Sequence, residues 1–327
     1  MQSLSLSSKM DRAHVEDGTA MNPASHFGPY LQCPLCKSRV DGLNCSRCAL
    51  RMKTYNGIVY ALPPERAAYY ARFISEYEQI RASEGRGSQS EDFYLALPYR
   101  DLSGRNSQQW KIRSRSYDYL VTRVLQPWLD RGSILDLGAG NCWMSFRLSL
   151  LGYDPVAVDL VTNENDGLGA AVHFDTRLLS PIPRFQAEVT SLPFRDEQFD
   201  VIIFNASFHY SEDYEATLRE ALRCLKSAGM IIISDSPWYS HEESGRRMVA
   251  ERHALFLQRF GTASDSIHSL EYLTDERLRE LERNLSIQWT VHSPWYGWKW
   301  AMRPWIAKLR GQREPSRFRI YVVRKHA

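Results

Sequence analysis

The run Ile134-Leu135-Asp136-Leu137-Gly138-Ala139-Gly140-Asn141 joins a short apolar strand to a carboxylate and two spaced glycines. Glycine lets a backbone turn sharply and lets a ligand approach where a Cβ would obstruct it. The next apolar run, Val156-Ala157-Val158, ends in Asp159. A carboxylate at the tip of a second strand suits the two hydroxyls of a ribose. These residues have the layout of a nucleotide-type cofactor site on a parallel sheet, although Gly-x-Gly alone also occurs in ordinary tight turns. The dinucleotide fingerprint is not met, because Trp143 stands where its third glycine would fall, and no Gly-Lys-Ser/Thr phosphate loop follows. The implied cofactor carries a ribose and no pyrophosphate.

A second constellation is Cys33-x2-Cys36-x8-Cys45-x2-Cys48. Two Cys-x-x-Cys knuckles this close can set four thiolates tetrahedrally around one zinc ion. The alternative, two redox or disulfide pairs, is disfavoured in a cytoplasmic protein. Four thiolates fill the coordination sphere, so the zinc reads as structural. Cys142 and Cys224 read as buried thiols.

The elements that must position these residues follow from the hydrophobic pattern. Tyr70, Phe73, Ile74, Tyr77 and Ile80 recur at helical spacing after Pro63-Pro64. Glu84-Gly85-Arg86-Gly87-Ser88 breaks that helix, and Phe93 to Arg105 reads as loop. A second amphipathic helix is expected from Ser107 to Leu129. From Ile134 onward strands at 134–137, 155–159, 184–188, 200–205 and 229–235 alternate with helices near 141–151, 167–172 and 212–226. That alternation means a parallel sheet with crossovers, which places ligands at the carboxyl ends of its strands. Asp136, Asp159, Glu188, Asn205 and Asp235 all fall at strand ends and could share one rim. A helical insert is expected at about 241–283, and an antiparallel pair at 286–292 and 317–324.

Asp136-x-Gly138-x-Gly140 resembles the first motif of class I S-adenosylmethionine-dependent methyltransferases, of the methyltransferase-11-like kind. Further segments match in order: Ala187-Glu188-Val189-Thr190-Ser191-Leu192-Pro193-Phe194, then Phe199-Asp200-Val201-Ile202-Ile203, then Asn205-Ala206-Ser207-Phe208-His209-Tyr210, then Leu225 to Ile233. The resemblance covers about residues 107–325; Cys142 departs from it where a third glycine often lies. It implies an α/β fold: a Rossmann-like, seven-stranded methyltransferase sheet with helices on both faces and a reversed last strand. The cysteine pattern with Asn56-Gly57-Ile58-Val59-Tyr60 resembles the zinc ribbons that precede some methyltransferase domains. The expected organisation is a disordered N-terminus at 1–28, a zinc ribbon at 30–61, a helical lid or linker at 62–130, and the methyltransferase domain at 131–327.

The resemblance also implies roles. S-adenosyl-L-methionine would be held by Asp136, Gly138, Gly140, Asn141, Asp159, Leu160, Glu188, Val189 and Asn205. Asp159 would meet the ribose hydroxyls, while Glu188 and the Val189 backbone would address the adenine. The alternatives are that Asp136 caps the following helix and that Glu188 is an exposed acid at a strand end. His209 and Tyr210 lie where the methyl group should point, so His209 could be a general base or a packed structural residue. Asp235 could orient substrate. Arg113 either meets the cofactor carboxylate or is solvated surface charge.

At 327 residues, with 43% hydrophobic residues, the chain can hold one large domain and a small one. A net charge of +3 does not argue for nucleic acid. No segment reads as a signal peptide or membrane span, so a cytoplasmic protein with no membrane partner is expected. From Val291 onward nine Lys or Arg stand against one Glu, interleaved with Trp295, Tyr296, Trp298, Trp300 and Trp305. This could be a nucleic-acid surface, a site for an anionic small molecule or sugar, or packed aromatics with a charged rim. The leading reading is methyl transfer to oxygen or nitrogen of a small-molecule or glycan-type acceptor. An RNA acceptor is the alternative, because the ribbon is basic and a ribbon before a class I domain resembles bacterial ribosomal-RNA guanine methyltransferases. A non-catalytic cofactor-sensing module is a third.

Overall fold

The computed structural model describes residues 30–325. The expectation of disorder for residues 1–28 lies outside them. Nine strands form one sheet: β1 (Lys53–Tyr55), β2 (Ile58–Tyr60), β3 (Ser133–Leu137), β4 (Asp154–Asp159), β5 (Arg184–Gln186), β6 (Phe199–Asn205), β7 (Leu225–Ser234), β8 (Thr290–His292) and β9 (Ile320–Arg324). Their order is β1-β2-β5-β4-β3-β6-β7-β9-β8. From β5 to β8 this is a Rossmann-like seven-stranded sheet with one reversed strand, as the resemblance implies. β3 to β7 pair in parallel, and β9 runs antiparallel to both β7 and β8.

The central strands are apolar runs because both faces are covered. Leu135, Leu137, Val156, Val158, Ile202 and Phe204 face one core cluster. Their alternate neighbours Ile134, Ala157, Val201 and Ile203 face the other. Strand order reverses between β3 and β6, which leaves a crevice at their carboxyl ends.

The helices are α1 (Pro64–Ser83), α2 (Glu91–Ala96), α3 (Ser107–Tyr119), α4 (Trp143–Leu150), α5 (Tyr214–Cys224), α6 (Glu242–Phe260), α7 (Asp275–Leu285), α8 (Trp298–Ala301) and α9 (Arg303–Leu309). α5 is capped by the Asp213 side chain, which accepts from the Ala216 N–H at 2.9 Å. Gly261, at φ +74°, ends α6 within the expected insert.

Three expectations need adjustment. The segment read as loop from Phe93 begins inside α2, whose Phe93 and Tyr94 are buried with Leu97. The helix expected to reach Leu129 is α-helical only to Tyr119 and continues as a wider π turn over Leu120–Leu125, with Pro127 following. The segment at 167–172 is a 3-10 helix over Leu168–Arg177.

The cysteine-bearing segment is continuous with the sheet. β2 pairs in parallel with β5, and Leu31 bridges to Phe194. Leu31, Val40, Met52 and Val59 share a core with Phe185, Leu192 and Phe194. A unit this small has little interior of its own, and it buries its apolar side chains against the larger domain.

Candidate active site

A cavity of about 380 Å³ opens at the crevice beside β3 and β6. It is lined by all nine candidate cofactor residues: Asp136, Gly138, Gly140, Asn141, Asp159, Leu160, Glu188, Val189 and Asn205. Gly138 sits at φ +73° and Gly140 at φ +54°, the left-handed region that disfavours side chains. A Cβ at Gly138 would lie 2.2 Å from the Ser207 Cβ, so the two crossing loops leave no room for one. Cys142 also adopts φ +62°, which explains why glycine would suit its position.

The turn is tied to the neighbouring strand. Gly138 N–H and Ala139 N–H both donate to the Val158 carbonyl, at 2.8 and 3.0 Å. Asp159 accepts from Gly140 N–H on Oδ2 and from Val161 N–H on Oδ1, each at 2.8 Å. Burial raises its pKa above the usual carboxylate range. Asp136 is fully enclosed: its Oδ2 accepts from Ser145 Oγ at 2.7 Å, and its Oδ1 has no partner. Burial pushes its pKa up to about 7. A buried carboxylate oxygen with no donor beside a glycine turn is one that a ligand N–H would satisfy.

Glu188 is neither exposed nor free. Arg66 of α1 donates to it through Nε and Nη2, the shortest contact 2.7 Å, and Tyr70 OH adds a bond at 3.2 Å. Its Oε1 accepts one bond, from Arg66 Nε at 3.1 Å, and keeps lone-pair capacity toward the cavity. Asn205 accepts from Ser234 Oγ at 2.9 Å, and Asn141 Oδ1 accepts from Trp143 N–H at 3.3 Å.

The helix before the sheet is a wall of this cavity. Arg66, Tyr70, Phe73, Tyr77 and Arg81 form one stripe of α1 and all line it. The aromatic spacing is legible in the sequence. What sequence reasoning missed is that arginines end the stripe at both sides, unlike a core-facing stripe. Asp166, another residue the sequence did not single out, lines the cavity and accepts from Arg81.

A second cavity of about 260 Å³ adjoins the first, sharing Tyr77, Arg81, Arg113, Ala206 and Tyr210. Here the two candidate catalytic residues separate. Tyr210 lines both cavities and packs on Tyr77 and Phe73, whereas His209 lines only the second. His209 Nδ1 lies 3.4 Å from Ser236 Oγ. Burial, with the charges of Arg252 and Arg113, pushes its pKa down to about 3, so the ring is neutral at physiological pH and a weak base.

Four arginines line the second cavity: Arg81, Arg86, Arg113 and Arg252. Three are paired, with Asp166, Glu84 and Glu271. Arg86 Nη1 and Arg252 Nε are nevertheless buried without partners. Arg113 has no hydrogen-bond or ion-pair partner among the described residues, and it packs its guanidinium over Trp110 at 5.1 Å. Burial and the charges of Arg81 and Arg86 lower its pKa. It lines both cavities and is not solvated surface charge. Asp235 faces the same space; Ser116 donates to its Oδ1, its Oδ2 has no partner, and burial raises its pKa.

The four cysteine sulfurs lie within 4.8 Å of one another. Cys33 Sγ is 3.4 Å from Cys48 Sγ, and Cys36 Sγ is 3.5 Å from Cys45 Sγ. Each knuckle is followed by a left-handed residue, Lys37 at φ +57° and Ala49 at φ +58°. A thiolate set this tight fits a tetrahedral ion. The knuckles brace the Glu188 loop: Ser191 Oγ donates to the Pro34 carbonyl, Gln32 N–H to the Pro193 carbonyl at 3.0 Å, and Lys37 pairs with Glu220 at 2.8 Å.

The segment that runs from β3 to β7 is similar to a methyltransferase domain: residues 135–233 match the family model of that description. The Escherichia coli protein YafE, itself uncharacterised, is 32% identical over 135 residues, which are 40% of this chain and 59% of its own. The arsenite methyltransferase of Aquipseudomonas alcaligenes is 33% identical over 115 residues, 33% of either chain. A solved SAM-dependent methyltransferase from Thermotoga maritima overlays on 79% of this chain and 99% of its own, at a TM-score of 0.44 and 16% identity. The chain spans between a third and three fifths of the length of these two curated relatives.

Proposed function

We propose that this chain transfers a methyl group from S-adenosylmethionine to oxygen or nitrogen of a small acceptor carrying an anionic group. The observation that carries the reading is the cavity shared by the nine cofactor candidates, with Asp136 Oδ1 left without a donor. That cradle fits the cofactor: a carboxylate beside a glycine turn for the amino-acid end, Asp159 for the ribose, and Glu188 with Val189 for the adenine. When bound, S-adenosylmethionine supplies a methyl group on a positively charged sulfur that is a good leaving group.

The residues of this chain then have positional tasks. Arg113 and Arg86 hold the anionic group of the acceptor in the second cavity, and Tyr210 bounds the passage between the two cavities. An acceptor held there by Arg113 and Arg86 would present its oxygen or nitrogen lone pair to the methyl group that the cofactor would supply. The acceptor's proton passes to Asp235 Oδ2, whose raised pKa suits a base better than the weakly basic His209. The four cysteines hold a structural zinc ion.

The test is transfer of labelled methyl from S-adenosylmethionine into a cell extract separated into RNA, protein and small-molecule fractions. Label in small anionic compounds is the expected result. Label confined to RNA would overturn the acceptor assignment, and cofactor binding without any labelled product would make the chain a sensor.

A further inference from the structure

We propose that α8 and α9 form a peripheral membrane-binding element that lies on an anionic lipid surface. The two helices act as one: Met302 N–H donates to the Trp298 carbonyl at 3.0 Å, and Ile306 N–H to the Met302 carbonyl at 3.1 Å. Trp298, Met302, Trp305, Ile306 and Leu309 follow the i, i+4, i+7, i+8, i+11 spacing of one helical face. A surface helix normally turns such a face inward. Here it faces solvent: Leu309 is 86% exposed, Trp298 78% and Trp305 71%, with Met302 and Ile306 also exposed.

This is not a helix waiting to repack, because its inward side is already committed. Ala307 is buried, Trp300 stacks on Phe318 with ring centroids 5.5 Å apart, and Tyr296 OH meets Ser116 Oγ at 2.8 Å. Phe318 also lines the second cavity, so the inward side of the element abuts it.

Charge decides what covers the face. Between Ser293 and Arg313 there are five Lys or Arg and no Asp or Glu. Arg303 is stacked on Trp300 and Arg313 is paired with Glu251, but Lys299, Lys308 and Arg310 have no ion-pair partner among the described residues. An apolar face carrying Trp and Leu, flanked by free cations, is the composition of a helix that sits in the headgroup layer. An RNA surface would place aromatic rings for stacking, whereas Met302, Ile306 and Leu309 have no ring to stack. The element needs no membrane span, and no helix among the described residues is long and apolar enough to be one.

The test is cosedimentation of the full, zinc-replete chain with vesicles at low salt. Phosphatidylcholine and phosphatidylglycerol in equal parts are compared with phosphatidylcholine alone. The expected result is pelleting with the mixed vesicles, at least about tenfold less partition onto the neutral ones, and loss of pelleting in the Trp298→Ser, Trp305→Ser, Leu309→Ser triple variant. These side chains are exposed, so circular dichroism and the thermal midpoint should match wild type. Wild-type protein that stays in the supernatant with the mixed vesicles overturns the proposal. So does pelleting that the triple variant does not reduce, or binding to RNA in place of vesicles. None of these readouts depends on methyl transfer.

Discussion

The two adjoining cavities are built in different ways. The cofactor cavity is made by strand ends and the turn between β3 and α4, with backbone N–H groups fixed on Val158 and Asp159. The second cavity is made by side chains from distant segments: Arg86 before α2, Arg113 on α3, His209 and Asp235 after β6 and β7, Arg252 on α6 and Phe318 before β9. In the first, polar groups are mostly satisfied and one carboxylate oxygen waits. In the second, Arg113 has no ion-pair partner among the described residues, and nitrogens of Arg86 and Arg252 and an oxygen of Asp235 are left without hydrogen bonds. The first is a site whose ligand is set by backbone geometry, and the second a site whose ligand is set by charge. On the proposed reading, methyl transfer pairs one invariant partner with one variable one, and the division of construction matches that pairing.

If the comparison holds, the largest effect comes from Asp159→Ala, which removes the ribose partner and both backbone anchors. S-adenosylhomocysteine affinity should fall about a hundredfold, the loss of one or two hydrogen bonds to a charged group. Calorimetry checks this, and a change below about threefold would break the cofactor-side assignment.

Arg113→Met should do the converse. It removes a half-buried, desolvated cation that has no hydrogen-bond or ion-pair partner among the described residues, so the thermal midpoint should hold or rise. Turnover at limiting acceptor should drop about tenfold, with S-adenosylhomocysteine affinity within about threefold of wild type. A fall in the thermal midpoint would mean that Arg113 is structural.

The pH dependence belongs to Asp136. Its folded pKa of about 7 lies above the ordinary 3.8, so the free fold favours the protonated form and loses stability as pH rises from about 4 through 7. A ligand that presents a cation or an N–H donor needs the charged form. Its affinity should therefore rise over the same window and level off above about pH 7, with one pH unit below that costing up to about tenfold. Titration of S-adenosylhomocysteine across this range checks the slope, which Asp136→Asn should flatten.

Zinc removal should have the smallest effect and a one-sided one. The knuckles touch the loop that carries Glu188 and Val189, and none of the four cysteines lines the second cavity. Chelation should weaken S-adenosylhomocysteine about threefold through loosening of that loop and lower the thermal midpoint, with acceptor KM unchanged.

The difference in construction also sets what the sequence discloses. Asp136, the two glycines and Asp159 are legible because the strand, the turn and the next strand are contiguous in the chain. The parallel pairing follows from the same alternation, whereas the reversed β9 is implied only by the family resemblance. The arginine cluster is not legible, since Arg81, Arg86, Arg113 and Arg252 come from three helices and a loop, and nothing in their local spacing marks them. Nor does the sequence show that Glu188 is held by Arg66, because the pair is 122 positions apart. The joining of β2 to β5 is hidden for the same reason.

The most direct test is calorimetric titration of the full, zinc-replete chain with S-adenosylhomocysteine at a pH above the Asp136 transition. The account predicts one saturable site that Asp159→Ala abolishes or weakens about a hundredfold. A folded, metal-loaded protein that shows no binding at millimolar ligand would contradict it.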